Sequence, residues 1–236
     1  MKKITKLMLN WEEYQIREFQ WWWWWQPGAN TIAYYPLNST TTVNDMSGNS
    51  LTLTWWWTYQ FWNYGGVDCC SISSWYFTTN SSWTWNMTIL AWSNYQGEPS
   101  NDTWVIAMTY STHPVSQLWY NKKSSRPNSD PSWWIYAYAE WVSLLGYTTN
   151  YHQIANQWYL VTWVRDGSSI KLYINWALEK EKAISVWTLS YTQLGISRNT
   201  RSMVGYVSNV IFEDKLRTQQ EISDYFDQTK SLYWIS

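Results

Sequence analysis

NQWYLVTWVRDGSSIKLYINWALEKEKAI, residues 156–184, decides the fold. Two runs rich in Val, Ile, Tyr and Trp, Trp158–Val164 and Ile170–Ile174, flank Asp166-Gly167, a dipeptide suited to reversing a chain between strands. A second reversal is due at Asn175-Trp176, and beyond it Glu179 and Glu181 alternate with Lys180 and Lys182. That alternation reads as an edge strand charged against pairing with other chains. A tight type I′ turn at 175–176 requires positive φ at both central residues. Asn and Gly tolerate it, whereas Trp is strained by about 1–3 kcal/mol, so the expected residue at 176 is Gly.

Outward from this hairpin the pattern repeats. Short β runs are expected at Thr31–Tyr35, Leu51–Thr54, Ser71–Phe77, Met87–Trp92, Trp104–Tyr110, Ser132–Tyr138 and Val204–Phe212, separated by clusters of Asn, Ser, Thr, Gly and Asp. One helix is signalled. Thr218-Gln219-Gln220-Glu221 fits a capping box, and Ile222, Tyr225 and Phe226 then fall on one helical stripe that should dock on the sheets. Strands without intervening helices predict an all-β fold, a two-layer antiparallel sandwich with one short C-terminal helix.

Composition narrows the function. The chain has 236 residues, ample for one domain's core, and sixteen Lys and Arg against seventeen Asp and Glu give a net charge of -1. With 14% charged residues there is no basic footprint for nucleic acid or anionic membrane, and no apolar stretch approaches a membrane span. The two cysteines, Cys69 and Cys70, are adjacent, so they cannot staple distant segments, and a zinc site would need a second ligand pair. Residues 1–20 alternate weakly and are read as an adaptor segment, residues 21–29 as a linker and residues 30–236 as the sandwich. Thr5, Lys6, Asn10, Glu12 and Glu13 interrupt the apolar run that a secretory signal would need. Four Asn-x-Ser/Thr sequons, at Asn38, Asn80, Asn86 and Asn101, are then read as polar loops.

The conspicuous number is 24 Trp beside 9 Gly. Trp21–Trp25 stands immediately before Gln26-Pro27-Gly28, where a linker is expected, and no helix or strand can bury five successive indoles against one core.

Several marks, in order, resemble the laminin G-like jelly rolls of the concanavalin A-like lectin/glucanase superfamily. IAYYPLNSTTTVNDMSGNSLTLT, residues 32–54, is similar to that family's first strand and its Asp-x-Ser-Gly-Asn loop, here Asp45, Ser47, Gly48 and Asn49. MTILAW at 87–92 resembles its strand ending in Trp, and residues 157–175 its central hairpin. LGISRN at 194–199 and VGYVSNVIFEDKLRTQQEI at 204–222 resemble its closing strands and short helix. The chain departs from the pattern by carrying Trp where that family carries Gly, at Trp176 above all and at Trp21–Trp25 and Trp55–Trp57. One cause accounts for every departure: a gene that reads UGA as glycine, translated with a table that reads it as tryptophan. Trp92 and Trp158, at apolar strand positions where the family itself has Trp, are expected to be genuine.

The resemblance implies a carbohydrate- or surface-ligand-binding module. Glucanases of the superfamily work with paired carboxylates on a strand, and no such pair is present. Glu213 and Asp214 are adjacent, hence on opposite faces of a strand, and are read as a solvated strand end. His113 and His152 are the only histidines and form no argued arrangement. An enzyme is not expected. Sugar stacking needs aromatic faces beside amides, and the candidate ligand-binding residues are Trp119, Tyr120, Asn121, Asn128, Asp130, Trp133, Trp134 and Tyr136, with ordinary packing as the competing account of each. Asp45 and Asn49 are candidate calcium ligands, with a plain Asx turn as the alternative. The expected partner is a glycan or host-surface ligand, on a virion or at a cell surface, with homo-oligomerisation or virion assembly as further expectations. A structural or decoration protein is the second reading, and a glycoside hydrolase the last.

Overall fold

The computed structural model describes residues 27–37, 44–55, 60–64, 66–72, 77–84, 86–96, 103–110, 116–121, 134–139, 142–145, 156–166, 168–183, 190–196 and 204–235. Over 54–55, 60–62, 72, 77–84, 103–110, 116–121, 134–139, 142–145 and 190–193 it describes the course of the backbone alone. The adaptor and residues 21–26 of the linker, with Asn128, Asp130, Trp133, His113 and His152, lie outside the described residues.

The strands in chain order are β1 (Thr31–Tyr35), β2 (Thr54–Trp55), β3 (Gln60–Tyr64), β4 (Val67–Ile72), β5 (Phe77–Thr84), β6 (Met87–Tyr95), β7 (Thr103–Tyr110) and β8 (Ser116–Asn121). There follow β9 (Trp134–Ala139), β10 (Val142–Leu145), β11 (Trp158–Arg165), β12 (Ser169–Ile174), β13 (Ala177–Ala183), β14 (Ser190–Ile196) and β15 (Gly205–Glu213). The single described α-helix is α1, Gln219–Thr229, and a 3-10 turn, Lys230–Tyr233, continues it. One sheet runs β13-β12-β11-β6-β15-β4-β3, with β1 also on β15, and the other β10-β9-β8-β7-β14-β5-β2. Every pairing is antiparallel. The all-β sandwich with one short C-terminal helix is thus the observed fold. The expected run Ser71–Phe77 divides between two strands, one in each sheet, and β3, β8 and β10 had no expectation.

The first sheet is buried on both faces at its central strands β6 and β11. All nine residues of β6 and all eight of β11 are buried, which is why they read as nearly continuous apolar runs and not as alternating ones. α1 and the 3-10 turn cover one face: Ile222, Tyr225, Phe226 and Tyr233 cluster with Val67, Cys69, Leu90, Trp92, Trp158, Leu160 and Ile211. Trp92 is the centre of that contact. Its ring stacks on Tyr233 at 4.0 Å and on Phe226 at 5.7 Å, and its indole N–H donates to Thr229 Oγ1 at 3.2 Å. Trp92, Trp158 and Trp163 are all buried.

Two polar devices fix the helix. The capping box forms as expected: Glu221 N–H donates to Thr218 Oγ1 at 3.2 Å, and Thr218 N–H to the Glu221 carboxylate at 2.8 Å. Glu213, read from the sequence as solvated, is instead 4% exposed. Arg217 reaches back and donates Nε and Nη2 to its two oxygens at 2.5 and 2.8 Å, a bidentate pair tying the end of β15 to the start of α1.

Backbone detail follows local chemistry. Gly205 sits where a Cβ would approach the Asn94 carbonyl oxygen to 2.1 Å, so no larger residue fits. At the 175–176 reversal only Asn175 has positive φ, 59°, so the turn is not the type I′ expected, and Trp176 stands half exposed without left-handed backbone. β13 is the edge strand its charges announced, with Lys171 paired to Glu181 at 3.4 Å and a register shift between Leu172 and Tyr173. Such an irregularity also discourages edge pairing.

Candidate functional site

The Asp45 loop is held by its own chain. Oδ1 accepts from the N–H groups of Tyr34 and Ser47 at 2.9 and 2.8 Å, and Oδ2 from Leu51 N–H at 3.1 Å and Ser47 Oγ at 2.7 Å. The Asp45 to Ser47 contact is an Asx turn. Asn49 donates its amide to the carbonyls of Thr31 and Ile32, both at 2.9 Å, and Gly48 takes φ 91°, where Gly is favoured. Among the described residues no group of three or more His, Cys, Asp or Glu side chains is placed to hold a metal ion.

The cysteines offer no reactive thiolate. Both are buried, and burial pushes each thiol up to about 12.

The second sheet brings part of the aromatic set together. Trp134, Tyr136 and Tyr138 are alternate residues of β9, and Gln117, Trp119 and Asn121 are alternate residues of β8. The register sets Asn121 opposite Trp134, Trp119 opposite Tyr136 and Gln117 opposite Tyr138. Because successive strand residues alternate between faces, these six positions share one face. β7 adds Val105 opposite Trp119 and Thr103 opposite Asn121.

Tyr120 belongs elsewhere. It pairs with Ile135 and Trp104, on the face of Leu118 and Ala137. Leu194 of β14 is completely buried, and the register carries its row through Thr109 to Ser116, the same face as Leu118 and Tyr120. The aromatic and amide positions therefore occupy the face opposite that of the buried Leu194. Of the sequence candidates, Trp119, Asn121, Trp134 and Tyr136 are brought together and Tyr120 is separated from them. Gln117, Thr103 and Val105 were not anticipated. The alternation in QLWYN and WIYAYA was visible, but the register that aligns the two strands was not.

No family model matches the chain, and no curated protein does. Solved structures do: the chain is similar to domain 4 of AbnA, a GH43 extracellular arabinanase from Geobacillus stearothermophilus solved with arabinotriose, at 12% identity and TM-score 0.64, covering 83% of this chain and 98% of that one. The fold is a two-sheet β-sandwich. It is also similar to the binding domain of botulinum neurotoxin DC in complex with SialylT, at 13% identity and TM-score 0.62, covering 86% of this chain and 52% of that one. The binding domain of Paraclostridial Mosquitocidal Protein 1 gives 12% identity and TM-score 0.58, with coverage of 84% and 52%. The sandwich thus spans about half the length of these toxin domains and nearly all of the arabinanase domain. At such identities the likeness is one of fold, and no family model assigns the laminin G-like subdivision.

Proposed function

We propose that this chain is a non-catalytic binding module whose ligand is carbohydrate, received on the face of the second sheet that carries Trp119, Asn121, Trp134 and Tyr136. The observation that carries this reading is the cross-strand register, which aligns aromatic and amide positions on neighbouring strands, opposite the face of the buried Leu194. Aromatic faces stack on the apolar side of sugar rings, and amides and phenols meet the hydroxyls. Support also comes from fold: two of the similar domains were solved with arabinotriose or SialylT. Two carboxylates near the sandwich edge are engaged in structure, Glu213 with Arg217 and Asp45 with backbone N–H groups. Residues 1–20 and 21–29, as adaptor and linker, would display the module on a virion or at a cell surface.

A glycan array probed with the full chain and with Tyr136→Ala tests the reading. Binding that is lost in the variant, with its melting temperature retained, is the expected result. An absence of binding to any glycan, with incorporation into an assembly that needs residues 1–20, would replace it with a structural role.

A further inference from the structure

The seven strands of the second sheet contain no Asp, Glu, Lys, Arg or His. The first sheet, by contrast, carries Asp68, Arg165, Lys171, Glu213 and the Glu and Lys residues of β13. The asymmetry constrains the ligand. A sialic acid, uronic acid or sulfated sugar brings an anion whose desolvation must be offset by a cation or charge-assisted hydrogen bonds, and strands built only from neutral residues supply neither cation.

Spacing gives the second constraint. Positions 134, 136 and 138 repeat every two residues, about 6.8 Å apart along an antiparallel strand, which is the scale of one sugar unit. Positions 117, 119 and 121 run in register beside them. The aromatic and amide positions form a track along the strands, not a ring around a point.

We propose that the ligand of this face is an uncharged, linear oligosaccharide lying along β8 and β9 and occupying at least three sugar units, rather than the charged tip of a branched glycan. This rests on the carbohydrate reading above and adds the class and length of ligand to it. Tyr136 and Tyr138 are tyrosine whichever way the surplus Trp codons are read, so they carry the test.

Titration calorimetry of the full chain against neutral series from mono- to hexasaccharide, taken from arabinan, xylan and cellulose, provides the measurement, with oligogalacturonates and a sialylated trisaccharide as acidic counterparts. In at least one neutral series Kd should fall by about tenfold or more from mono- to trisaccharide and change little with added salt. Tyr136→Ala, at the middle of the track, should remove that gain with length while Lys171→Ala on the other sheet leaves it intact. Equal affinity for mono- and trisaccharide, or preference for an acidic series with strong salt dependence, overturns the proposal while the carbohydrate reading survives. Failure of every neutral and acidic sugar to bind overturns both.

Discussion

Trp234 ends the 3-10 turn Lys230–Tyr233 with φ 61° and ψ 25°, and 70% of its surface is exposed. Left-handed backbone after a helical turn is the usual place of Gly, and a side chain there costs on the order of 1–2 kcal/mol. At Trp176 the reasoning from turn type weakens, since only Asn175 is left-handed; at Trp234 the backbone itself makes the demand. Trp234→Gly should therefore raise the melting temperature by a few degrees, about 2–4 °C per kcal/mol for a chain of this size. A mass spectrum of the tryptic peptide that begins at Ser231 from the natural source should show Gly at 234 if UGA is read as glycine, and Trp there would remove the best structural position for that idea. Trp92 behaves oppositely: stacked on Tyr233 and Phe226, it should cost about 3–5 kcal/mol when changed to Ala, measured by chemical denaturation.

Among the elements, α1 depends on its entry. Arg217→Ala leaves the Glu213 carboxylate buried without its bidentate partner, and a loss of about 3–5 kcal/mol is expected in urea denaturation. Thr218→Ala, removing only the cap, should cost about 1 kcal/mol. The β11–β12 turn supplies a pH dependence. Desolvation pushes the Asp166 carboxyl up, but hydrogen bonds from Ser168 and Ser169 outweigh it and hold it below its ordinary range. Glu221 is likewise lowered, chiefly by its hydrogen bond from Lys215; desolvation comes next and opposes it, and smaller hydrogen bonds from Thr218 add to the lowering. A carboxyl lowered on folding stabilises the protein above its unfolded value, about pH 4, and that contribution is lost as pH falls through the lower folded value. The melting temperature should thus drop as pH is taken below about 4, with a shallower drop in Asp166→Asn.

At the scale of the whole molecule, the charged residues of the described strands all belong to the first sheet. The first sheet, covered by α1 and edged by the Glu and Lys of β13, is the stabilising layer, and the uncharged second sheet presents the candidate face. The Asp45 loop pins β1 through hydrogen bonds, so added calcium or a chelator should leave the melting temperature unchanged in a thermal scan, while Asp45→Ala lowers stability by about 1–3 kcal/mol.

The sequence by itself determined the elements whose chemistry is local: β1, the hairpin of β11 and β12, the charged edge of β13 and the capping box at Thr218. Alternation, turn dipeptides and caps act over a few residues, so they can be read in one dimension. Only the tertiary structure decided that Glu213 is buried against Arg217 rather than solvated, that Tyr120 leaves the set containing Trp119, and that Gln117 enters it. Those facts depend on register and on what covers a face. A shift of one residue in pairing transfers a whole strand's side chains to the other face, and no local pattern in QLWYN or WIYAYA fixes which residue of one strand meets which residue of the other.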